Sequence, residues 1–397
     1  MPVKYVELDL REPLRPIYID TKYEWLCVIV KHGRKPLGVM NPHILPHERE
    51  ISLERLRNEI SQWFGWQLFE DAVAGAFNSD DDIHLPPISV IVCTRDRPHS
   101  LERALEPLKH LDYPQYEVIV IDNASKSPMV KEVIERAGFR YVREDKPGLD
   151  RARNRGVKEA QFDIVAYIDD DTLASSGWLR GIAEGFANPR VMGVTGLVLP
   201  AEIETRAQLE FEQYGGMSKG FRPFTISREG LSDKTRFATF AWGLGGNMAF
   251  RRSLFNLIGG FDVALDVGTP TNGAGDLEFF YRLVSNGYLL RYEPSAMIRH
   301  THRRDHETFV KQIYNNGRGL GSYLLTVVRN ERYNRKKVMR YAVRDWMLPW
   351  FGKRFIQSVM KRDTWTRKLV LAEFKGALSA PRAYLRSQKS SARLNEK

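Results

Sequence analysis

The chain has 397 residues, 43% of them apolar, which is enough to bury the cores of two or three domains. This composition excludes fibrous and disordered proteins. Residues 1–20 lack the order of a secretory signal, and no apolar run approaches the ~20 residues that a membrane-spanning helix needs. Cys27 and Cys93 lie far apart and form no metal-ligand spacing. We therefore expect a reducing, cytoplasmic compartment.

The net charge of +11 comes from the C-terminal end of the chain. Residues 330–397 carry 18 Lys and Arg against 5 Asp and Glu, whereas residues 1–329 carry 42 and 44. The basicity therefore belongs to one segment, and no recognised nucleic-acid-binding module accompanies it. We expect no nucleic acid among the partners.

Residues 1–80 are predicted to form a small accessory α+β unit. Three β-rich runs precede a helical pattern at Leu53–Phe69, and these runs are Lys4–Leu10, Glu24–Lys31 and Pro36–Met40. The stretch Asn78–Pro87, in which Ser79 is followed by three Asp, has the character of a linker.

From Ile88 onward, strands and helices alternate. The predicted strands are Ile88–Cys93, Glu117–Asp122, Phe139–Arg143 and Ile164–Ile168. The predicted helices between them are one that begins near Pro98 with Leu101, Leu105 and Leu108 along one stripe, then Pro128–Ala137 and Asp150–Ala160. This alternation predicts a parallel sheet with crossover helices, in which ligands bind beyond the carboxyl ends of the strands.

The pattern is less regular after Trp178. We expect a helix to Ala187, a strand at Val191–Leu199 and an irregular stretch to Phe240. A helix is predicted from Asp276 to Asn286 with Gly287 as its stop, followed by a strand-like run at Ala296–Arg299.

Acidic residues follow the predicted strands at the positions where ligands bind. The second strand ends in Asp122-Asn123-Ala124-Ser125 and the fourth in Asp169-Asp170-Asp171. Two carboxylates one residue apart can converge on a hard divalent cation. Mg²⁺ or Mn²⁺ there can neutralise the charge on a departing diphosphate. The alternative is that these acids only solvate loops or cap helices, but three acids directly after a buried strand favour the metal interpretation.

A series of motifs in the same order resembles the family-2 glycosyltransferases. They are ISVIVCT at 88–94, VIVIDNAS at 118–125, GLDRARNRG at 148–156, YIDDDT at 167–172, WGLGGNMAFRR at 242–252, GGFD at 259–262 and GAGDLEFFYRL at 273–283. The resemblance covers residues 87–302, about half of the chain. It implies the A-type glycosyltransferase fold, an α/β fold with a Rossmann-like, mostly parallel sheet flanked by helices. We divide the chain into an accessory unit (1–80), a catalytic domain (87–305) and a basic helical region (306–397).

The resemblance implies roles for residues that match the motifs. Thr94 and Asp96 match the nucleotide-binding loop, and Asp122 matches a carboxylate that accepts hydrogen bonds from the base. Arg153 and Asn154 match the Arg-Asn pair on a helix facing the nucleotide, although Arg153 could instead be a structural ion-pair partner.

The metal motif and the catalytic base also follow from the resemblance. Asp169 and Asp171 match the first and last acids of the metal motif, and Asp170 joins the nucleotide-sugar set. Asp276 matches the catalytic base, which in an inverting transfer removes the proton of the acceptor hydroxyl. Its alternative role is a helix N-cap. The family more often has Glu where this chain has Gly275, so an acid that helps to bind acceptor is missing.

Two further candidates lie later in the chain. Gly245-Gly246-Asn247 suits a loop whose backbone approaches a ligand closely, so Gly246 and Asn247 are candidate nucleotide-sugar contacts. His300 follows a predicted strand where related enzymes supply a further metal ligand, although a lone His is more often structural.

The basic region contains predicted amphipathic helices at Trp346–Met360 and Trp365–Leu378. Such helices could lie on the anionic inner face of a membrane, or they could pack on the catalytic domain as a cap. Both interpretations stay open at this point.

The sequence as a whole predicts an inverting, metal-dependent hexosyltransferase. We expect a UDP- or dTDP-sugar donor and a saccharide or lipid-linked acceptor, in the synthesis of cell-surface polysaccharide or glycolipid. A nucleotidyltransferase would normally carry a Gly-rich loop with basic residues after the first strand, and Thr94–Pro98 lacks the glycines. A catalytically silent membrane scaffold would lose the metal carboxylates or the base, and both are present.

Overall fold

A computed structural model describes residues 2–45, 48–77, 85–330 and 335–396. Most of the predicted linker Asn78–Pro87 lies outside these residues. The strands are β1 (Val3–Asp9), β2 (Ile17–Tyr18), β3 (Trp25–His32), β4 (Lys35–Met40), β5 (Glu50–Ile51), β6 (Ile88–Thr94), β7 (Tyr116–Asn123), β8 (Arg140–Glu144), β9 (Ile164–Asp169), β10 (Thr172–Ala174), β11 (Val191–Pro200), β12 (Phe224–Ile226), β13 (Asn247–Arg251) and β14 (Leu289–His300).

The helices agree with most of the predicted ones. The predicted helix Trp365–Leu378 is longer in the structure, whereas Trp346–Met360 is divided between a π-helical segment and a short α-helix. They are α1 (Leu53–Phe77), α2 (Pro98–Leu108), α3 (Met129–Ala137), α4 (Leu149–Glu159), α5 (Trp178–Gly185), α6 (Arg206–Tyr214), α7 (Asp233–Arg236), α8 (Ser253–Ile258), α9 (Gly275–Ser285), α10 (His306–Asn330), α11 (Arg335–Arg340), α12 (Arg354–Met360) and α13 (Thr364–Glu396). A 3₁₀ turn lies at Thr239–Ala241 and a π-helical segment at Tyr341–Lys353.

Nine of the described strands form one central sheet. Their order is β10-β14-β11-β13-β9-β6-β7-β8, with β12 paired to β14. Strands β9, β6, β7 and β8 run parallel, as predicted, whereas β13 runs antiparallel to both of its neighbours. The alternation of strand and helix ends after β9, so the sequence pattern did not predict the arrangement of the other half, in which β11 and β14 pair in parallel and β10, β12 and β13 run antiparallel to their neighbours.

Strand β6 is buried along its whole length because both faces of the sheet are covered. Its side chains alternate between two cores, with Val90 and Val92 in one and Ile91 and Cys93 in the other. The first core also contains the predicted stripe of α2, which is Leu101, Leu105 and Leu108. The β-branched run Ile88–Cys93 is therefore a strand buried on both faces, as predicted.

The sheet brings several segment ends to one edge. Thr94 pairs with Asp122, and Cys93 pairs with Asp169, so β6, β7 and β9 end side by side. Strand β13 runs the other way, which places its first residue, Asn247, beside Ile168. The topology therefore gathers the strand-end acids and the glycine loop before β13 at the same place.

Helix α6 lies in the stretch that was predicted to be irregular, so that prediction was wrong. A capping box starts the helix, because Thr205 Oγ1 accepts from the Gln208 amide at 3.4 Å and Gln208 Oε1 accepts from the Thr205 amide at 3.0 Å. The signal was present as Thr-x-x-Gln, but the apolar stripe beyond it is short, with Ala207 and Phe211 as its buried apolar members.

The N-terminal unit packs against the central sheet. Ile29 on β3 forms one core with Leu197, Leu199 and Met297 of β11 and β14. The Val3 amide also donates to the Ile203 carbonyl at 2.8 Å. This unit therefore extends the hydrophobic core of the sheet.

The aromatic side of the C-terminal region packs on the catalytic domain. Trp346 and Phe351 are buried in a core with Phe237 and Tyr323. The Trp350 indole and the Tyr214 hydroxyl both donate to Glu373 Oε2, at 2.8 and 2.6 Å. These contacts support the cap interpretation for this side of the region. No helix in the described part of the chain is long and apolar enough to cross a membrane.

Candidate active site

A cleft of about 210 Å³ opens at the edge of the sheet where the strand ends meet. Its walls come from α4, β9, the loop before β13, the start of α9 and the end of β14. The cleft brings together five predicted site residues, which are Arg153, Asp169, Gly246, Asp276 and His300. Residues separated by almost 150 positions in the sequence therefore share one cavity.

Asp276 lies in the first turn of α9 with its carboxylate in the cleft. Its Oδ2 accepts a hydrogen bond from the Gly245 amide at 2.8 Å. The N-cap of α9 is Ala274, with φ of +82° and no side-chain cap, so Asp276 is not the cap that the alternative interpretation required. A carboxylate in the first turn of a helix interacts favourably with the helix dipole.

Arg153 is a buried cation between the acids of the cleft. Its Nη1 donates to Asp150 Oδ1 at 3.0 Å, its Nη2 donates to the Gly245 carbonyl at 3.2 Å, and Nη2 lies 3.7 Å from Asp169 Oδ1. The alternative of a structural ion pair is therefore realised, although the residue also lines the cleft.

The three consecutive acids that begin with the last residue of β9 have different surroundings. Asp170 turns inward, where it accepts from Thr94 Oγ1 at 2.7 Å and from Arg97 Nη1 at 3.0 Å. Asp171 Oδ2 lies 3.3 Å from the same Arg97 nitrogen. Burial, together with the charges of Asp171 and Asp170, raises the pKa of Asp169 to about 6, although Arg153 opposes this shift.

His300 lies at the end of β14, next to the acids. Its Nε2 is 3.5 Å from Asp171 Oδ1. Burial lowers the pKa of His300 to about 4, although the Asp171 charge opposes this shift. The ring is therefore neutral at pH 7, and a neutral imidazole can bind a metal.

Asp169, Asp171 and His300 supply donors that suit Mg²⁺ or Mn²⁺. In the described part of the chain, no three His, Cys, Asp or Glu side chains are already arranged as a metal-binding group. The Arg97 guanidinium instead contacts both Asp170 and Asp171. Arg97 thus balances the charge of these two carboxylates, and it is the donor types, rather than their present arrangement, that suit a divalent cation.

Two predicted contacts lie outside the cleft lining. The Asn154 amide group bonds to the backbone of Phe261, donating to its carbonyl at 2.9 Å and accepting from its amide at 2.8 Å. Asn247 accepts from Trp178 Nε1 at 2.9 Å and donates to the carbonyls of Leu197 and Ala296. Both side chains hold backbone segments together, so their geometry gives no support to nucleotide-sugar binding.

The nucleotide-loop candidates lie at the same edge but also outside the cleft lining. Asp122 is buried, and both of its oxygens accept hydrogen bonds, from Ser125, Tyr141 and Arg143. Burial opposes ionisation of Asp122, but these bonds outweigh it and lower the pKa of the carboxyl group. Asp96 has φ of +53° and accepts from the Lys126 amide at 2.7 Å. Their contact with a nucleotide stays a prediction.

Sequence reasoning missed Asp150, a buried acid of the cleft wall. Its amide donates to Asp266 Oδ1 at 2.8 Å, and burial and the Asp266 charge raise the pKa of the Asp150 carboxyl group. A Cβ added to Gly275 would lie only 1.7 Å from Asp150 Oδ2. Glycine at position 275 therefore leaves the space that the Asp150 carboxylate occupies. Nothing in a single sequence links these two positions.

Lys219 was missed as well, because it lies in the loop after α6 without any motif. Burial lowers the pKa of its ammonium group, although attraction to Asp276 opposes this shift. The catalytic-base candidate thus has a second cation nearby besides Arg153.

Comparison with known proteins adds to this geometry. Residues 89–259 match the model of glycosyl transferase family 2. This segment of the chain therefore matches the family-2 glycosyltransferases. Among curated relatives, a pre-mycofactocin glycosyltransferase of Mycobacterium tuberculosis is 24% identical over 63% of this chain and 50% of that protein. A hyaluronan synthase of Pasteurella multocida is 27% identical over 54% of this chain and 24% of that protein. The chain thus spans half of the first relative and less of the second.

A solved structure extends the likeness beyond the matched family segment. The mannosyltransferase PcManGT of Pyrobaculum calidifontis, in complex with GDP-Man and Mn²⁺, aligns with a TM-score of 0.52. The alignment covers 81% of this chain and 96% of that chain, at 16% identity. The predicted A-type glycosyltransferase fold is therefore confirmed.

The contact between Gly275 and Asp150 predicts a destabilising substitution. Gly275→Ala should lower the free energy of unfolding by about 1–3 kcal/mol, because the new methyl group overlaps the Asp150 carboxylate in a packed wall. Urea unfolding followed by tryptophan fluorescence measures this change. Gly65→Ala is the control, since nothing lies within 4 Å of its added Cβ and Ala favours a helix. Equal stability of the two variants would contradict the proposed overlap.

Proposed function

We propose that the protein transfers a hexosyl group from a nucleotide-diphosphate sugar to a hydroxyl group of a saccharide or lipid-linked acceptor, with inversion at the anomeric carbon. The observation that carries this proposal is the shared cleft of Asp276 and Asp169. One carboxylate can act as a base on the acceptor, and the other belongs to a cluster that can bind a cation beside the diphosphate.

Each residue of the cleft has a separate role in the proposed reaction. Asp276 takes the proton of the acceptor hydroxyl. At the same time the hydroxyl oxygen attacks the anomeric carbon, and the bond from that carbon to the nucleotide diphosphate breaks. The Gly245 amide holds Asp276 Oδ2 at 2.8 Å, which fixes the base in the cleft. Asp169, Asp171 and His300 would hold a divalent cation, which would neutralise charge on the departing diphosphate.

The donor and the biological role are supported by the comparisons. PcManGT was solved with GDP-Man and Mn²⁺, which supports a nucleotide-sugar donor and a divalent cation. We propose a UDP- or dTDP-sugar for this chain. Relatives named hyaluronan synthase and O-antigen chain rhamnosyltransferase support a role in the synthesis of cell-surface polysaccharide or glycolipid.

Donor binding should depend on the cation and on Asp171. We expect one member of a panel of UDP-, dTDP- and GDP-sugars to bind wild type in the presence of Mn²⁺ and to lose most of its affinity without Mn²⁺ or in Asp171→Ala. Isothermal titration calorimetry measures these affinities. Asp163→Ala serves as the control, because that side chain is 97% exposed and lies outside the cleft. Absence of donor binding by folded wild type, with or without metal, would favour a catalytically silent scaffold.

Asp276→Asn should remove the base while keeping the donor site. The amide oxygen can still accept from Gly245, but it cannot take a proton, so kcat should fall by about 10²- to 10⁴-fold with little change in donor affinity. Product formation with the donor identified by calorimetry measures kcat. Asp163→Asn should leave kcat unchanged. An Asp276→Asn variant with wild-type kcat would exclude this residue as the base.

We propose that the C-terminal region also attaches the protein to an anionic membrane surface. The aromatic side of this region is buried, but α12 and the segment before it carry exposed apolar side chains. Their exposed fractions range from 37% to 78%, and the residues are Leu348, Phe355, Ile356, Val359 and Met360. Exposed basic residues adjoin them, including Lys353, Lys361 and Arg362. An apolar patch with a basic border suits an interfacial helix on anionic lipid.

Binding to anionic vesicles should require this patch. We expect wild type to sediment with vesicles that contain phosphatidylserine, and the double variant Ile356→Asp, Met360→Asp to bind them at least about tenfold more weakly, because two charges enter the apolar boundary. Leu257→Asp is the control, since Leu257 is equally exposed but lies on α8. Equal binding of the double variant and wild type, or no binding by wild type, would count against the proposal.

A further inference from the structure

His300 is the first residue in a chain of hydrogen-bond contacts that continues through a second histidine to a glutamate. The Nδ1 atoms of His300 and His302 are 2.8 Å apart, and His302 Nε2 is 2.8 Å from Glu212 Oε1. On the other side, His300 Nε2 is 3.5 Å from Asp171 Oδ1. The His302 side chain is only 1% exposed, so its hydrogen-bond partners come from the protein.

The positions of the protons follow from these contacts. The Glu212 carboxylate can only accept, so His302 Nε2 carries a proton. The 2.8 Å contact between the two Nδ1 atoms needs one proton. When the only ring proton of His302 lies on Nε2, its Nδ1 is a lone pair and accepts from Nδ1–H of His300. The remaining nitrogen of His300, Nε2, has no proton and faces the side of Asp171.

We propose that Glu212 and His302 are positioning residues that hold His300 in the Nδ1–H tautomer, with its Nε2 lone pair free for a divalent cation beside Asp171. This inference rests on the metal dependence in the proposed function, and it adds two residues that do not touch the cation. Partners of this kind fix the tautomer and the orientation of a ligating ring.

The surrounding structure holds the two positioning residues in place. Glu212 lies on α6, whose Phe211 ring packs 4.5 Å from the His302 ring. Gln208, from the same helix, donates to the His302 carbonyl at 3.3 Å. Helix α6 thus contacts both the ring and the backbone of His302.

The same distances allow one competing arrangement, which a spectrum can distinguish. A doubly protonated His302 would donate from Nδ1 to His300, and the His300 proton would then lie on Nε2 and block a cation. Long-range ¹H–¹⁵N correlation spectra of the metal-free full chain, labelled at histidine, report the proton position. We expect a protonated Nδ1 and a bare Nε2 for His300. A proton on His300 Nε2 in wild type would overturn the inference.

Substitutions then test whether the tautomer matters for the cation. His302→Phe keeps an aromatic ring beside Phe211 but removes the acceptor, so His300 should show a mixture of tautomers and the Kd for Mn²⁺ should rise about 10- to 100-fold. Glu212→Leu should act in the same direction, and it provides the test if His302→Phe does not fold. Mn²⁺ titration followed by electron paramagnetic resonance measures Kd without any reaction.

Glu204→Gln is the matched control, because Glu204 pairs with Arg304 at 2.7 Å and is not part of this line of contacts. Its Kd for Mn²⁺ should equal that of wild type. If wild type binds Mn²⁺ and the folded positioning variants bind it equally well, the inference fails while the proposed function stands. If wild type binds no Mn²⁺, the metal dependence fails and this inference fails with it.

Discussion

The structure depends on one electrostatic constraint, which is the concentration of buried and half-buried carboxylates at the edge of the sheet. Asp150, Asp169 and Asp276 all line one small cleft. Like charges removed from water repel strongly unless a counter-charge is present. The buried guanidinium of Arg153 supplies it, bonded to Asp150 and to the Gly245 carbonyl and 3.7 Å from Asp169. Arg153 thus links α4 to the glycine loop, and Asp276 at the start of α9 bonds to the same Gly245.

The sequence predicted the parts of the fold that local pattern controls. The run Ile88–Cys93 is β-branched and apolar throughout, and it is a strand buried on both faces. Once such strands are parallel neighbours, their last residues lie side by side by geometry alone. The pairing of Thr94 with Asp122 shows this, and so does the pairing of Cys93 with Asp169. The gathering of strand-end acids could therefore be predicted without any knowledge of side-chain contacts.

The features that the sequence did not predict depend on contacts between residues that are distant in the sequence. Asn247 resembles a binding residue in its Gly-Gly-Asn loop, yet its amide bonds to Trp178, Leu197 and Ala296, which lie 49 to 69 residues away. The acid at position 150 lies in space beside a glycine at position 275, and neither residue indicates the other. Helix α6 carried a capping signal, but the tertiary contacts of Phe211 and Gln208 give it its place. A pattern in one sequence identifies elements more reliably than it identifies the partner of a polar side chain.

The two sides of the cleft consist of different kinds of structure, and this difference bears on substrate specificity. The acids and His300 lie at strand ends of the central sheet, where backbone ladders hold them rigidly. The side around Asp276 combines the start of α9 with loops, which contribute Met217 from one and Leu265 and Val267 from another. Loops tolerate change while a rigid sheet does not. Relatives of this chain carry names as different as hyaluronan synthase and O-antigen chain rhamnosyltransferase. Under the proposed function, the choice of sugar and acceptor in this chain lies with its loop residues rather than with the acidic motif.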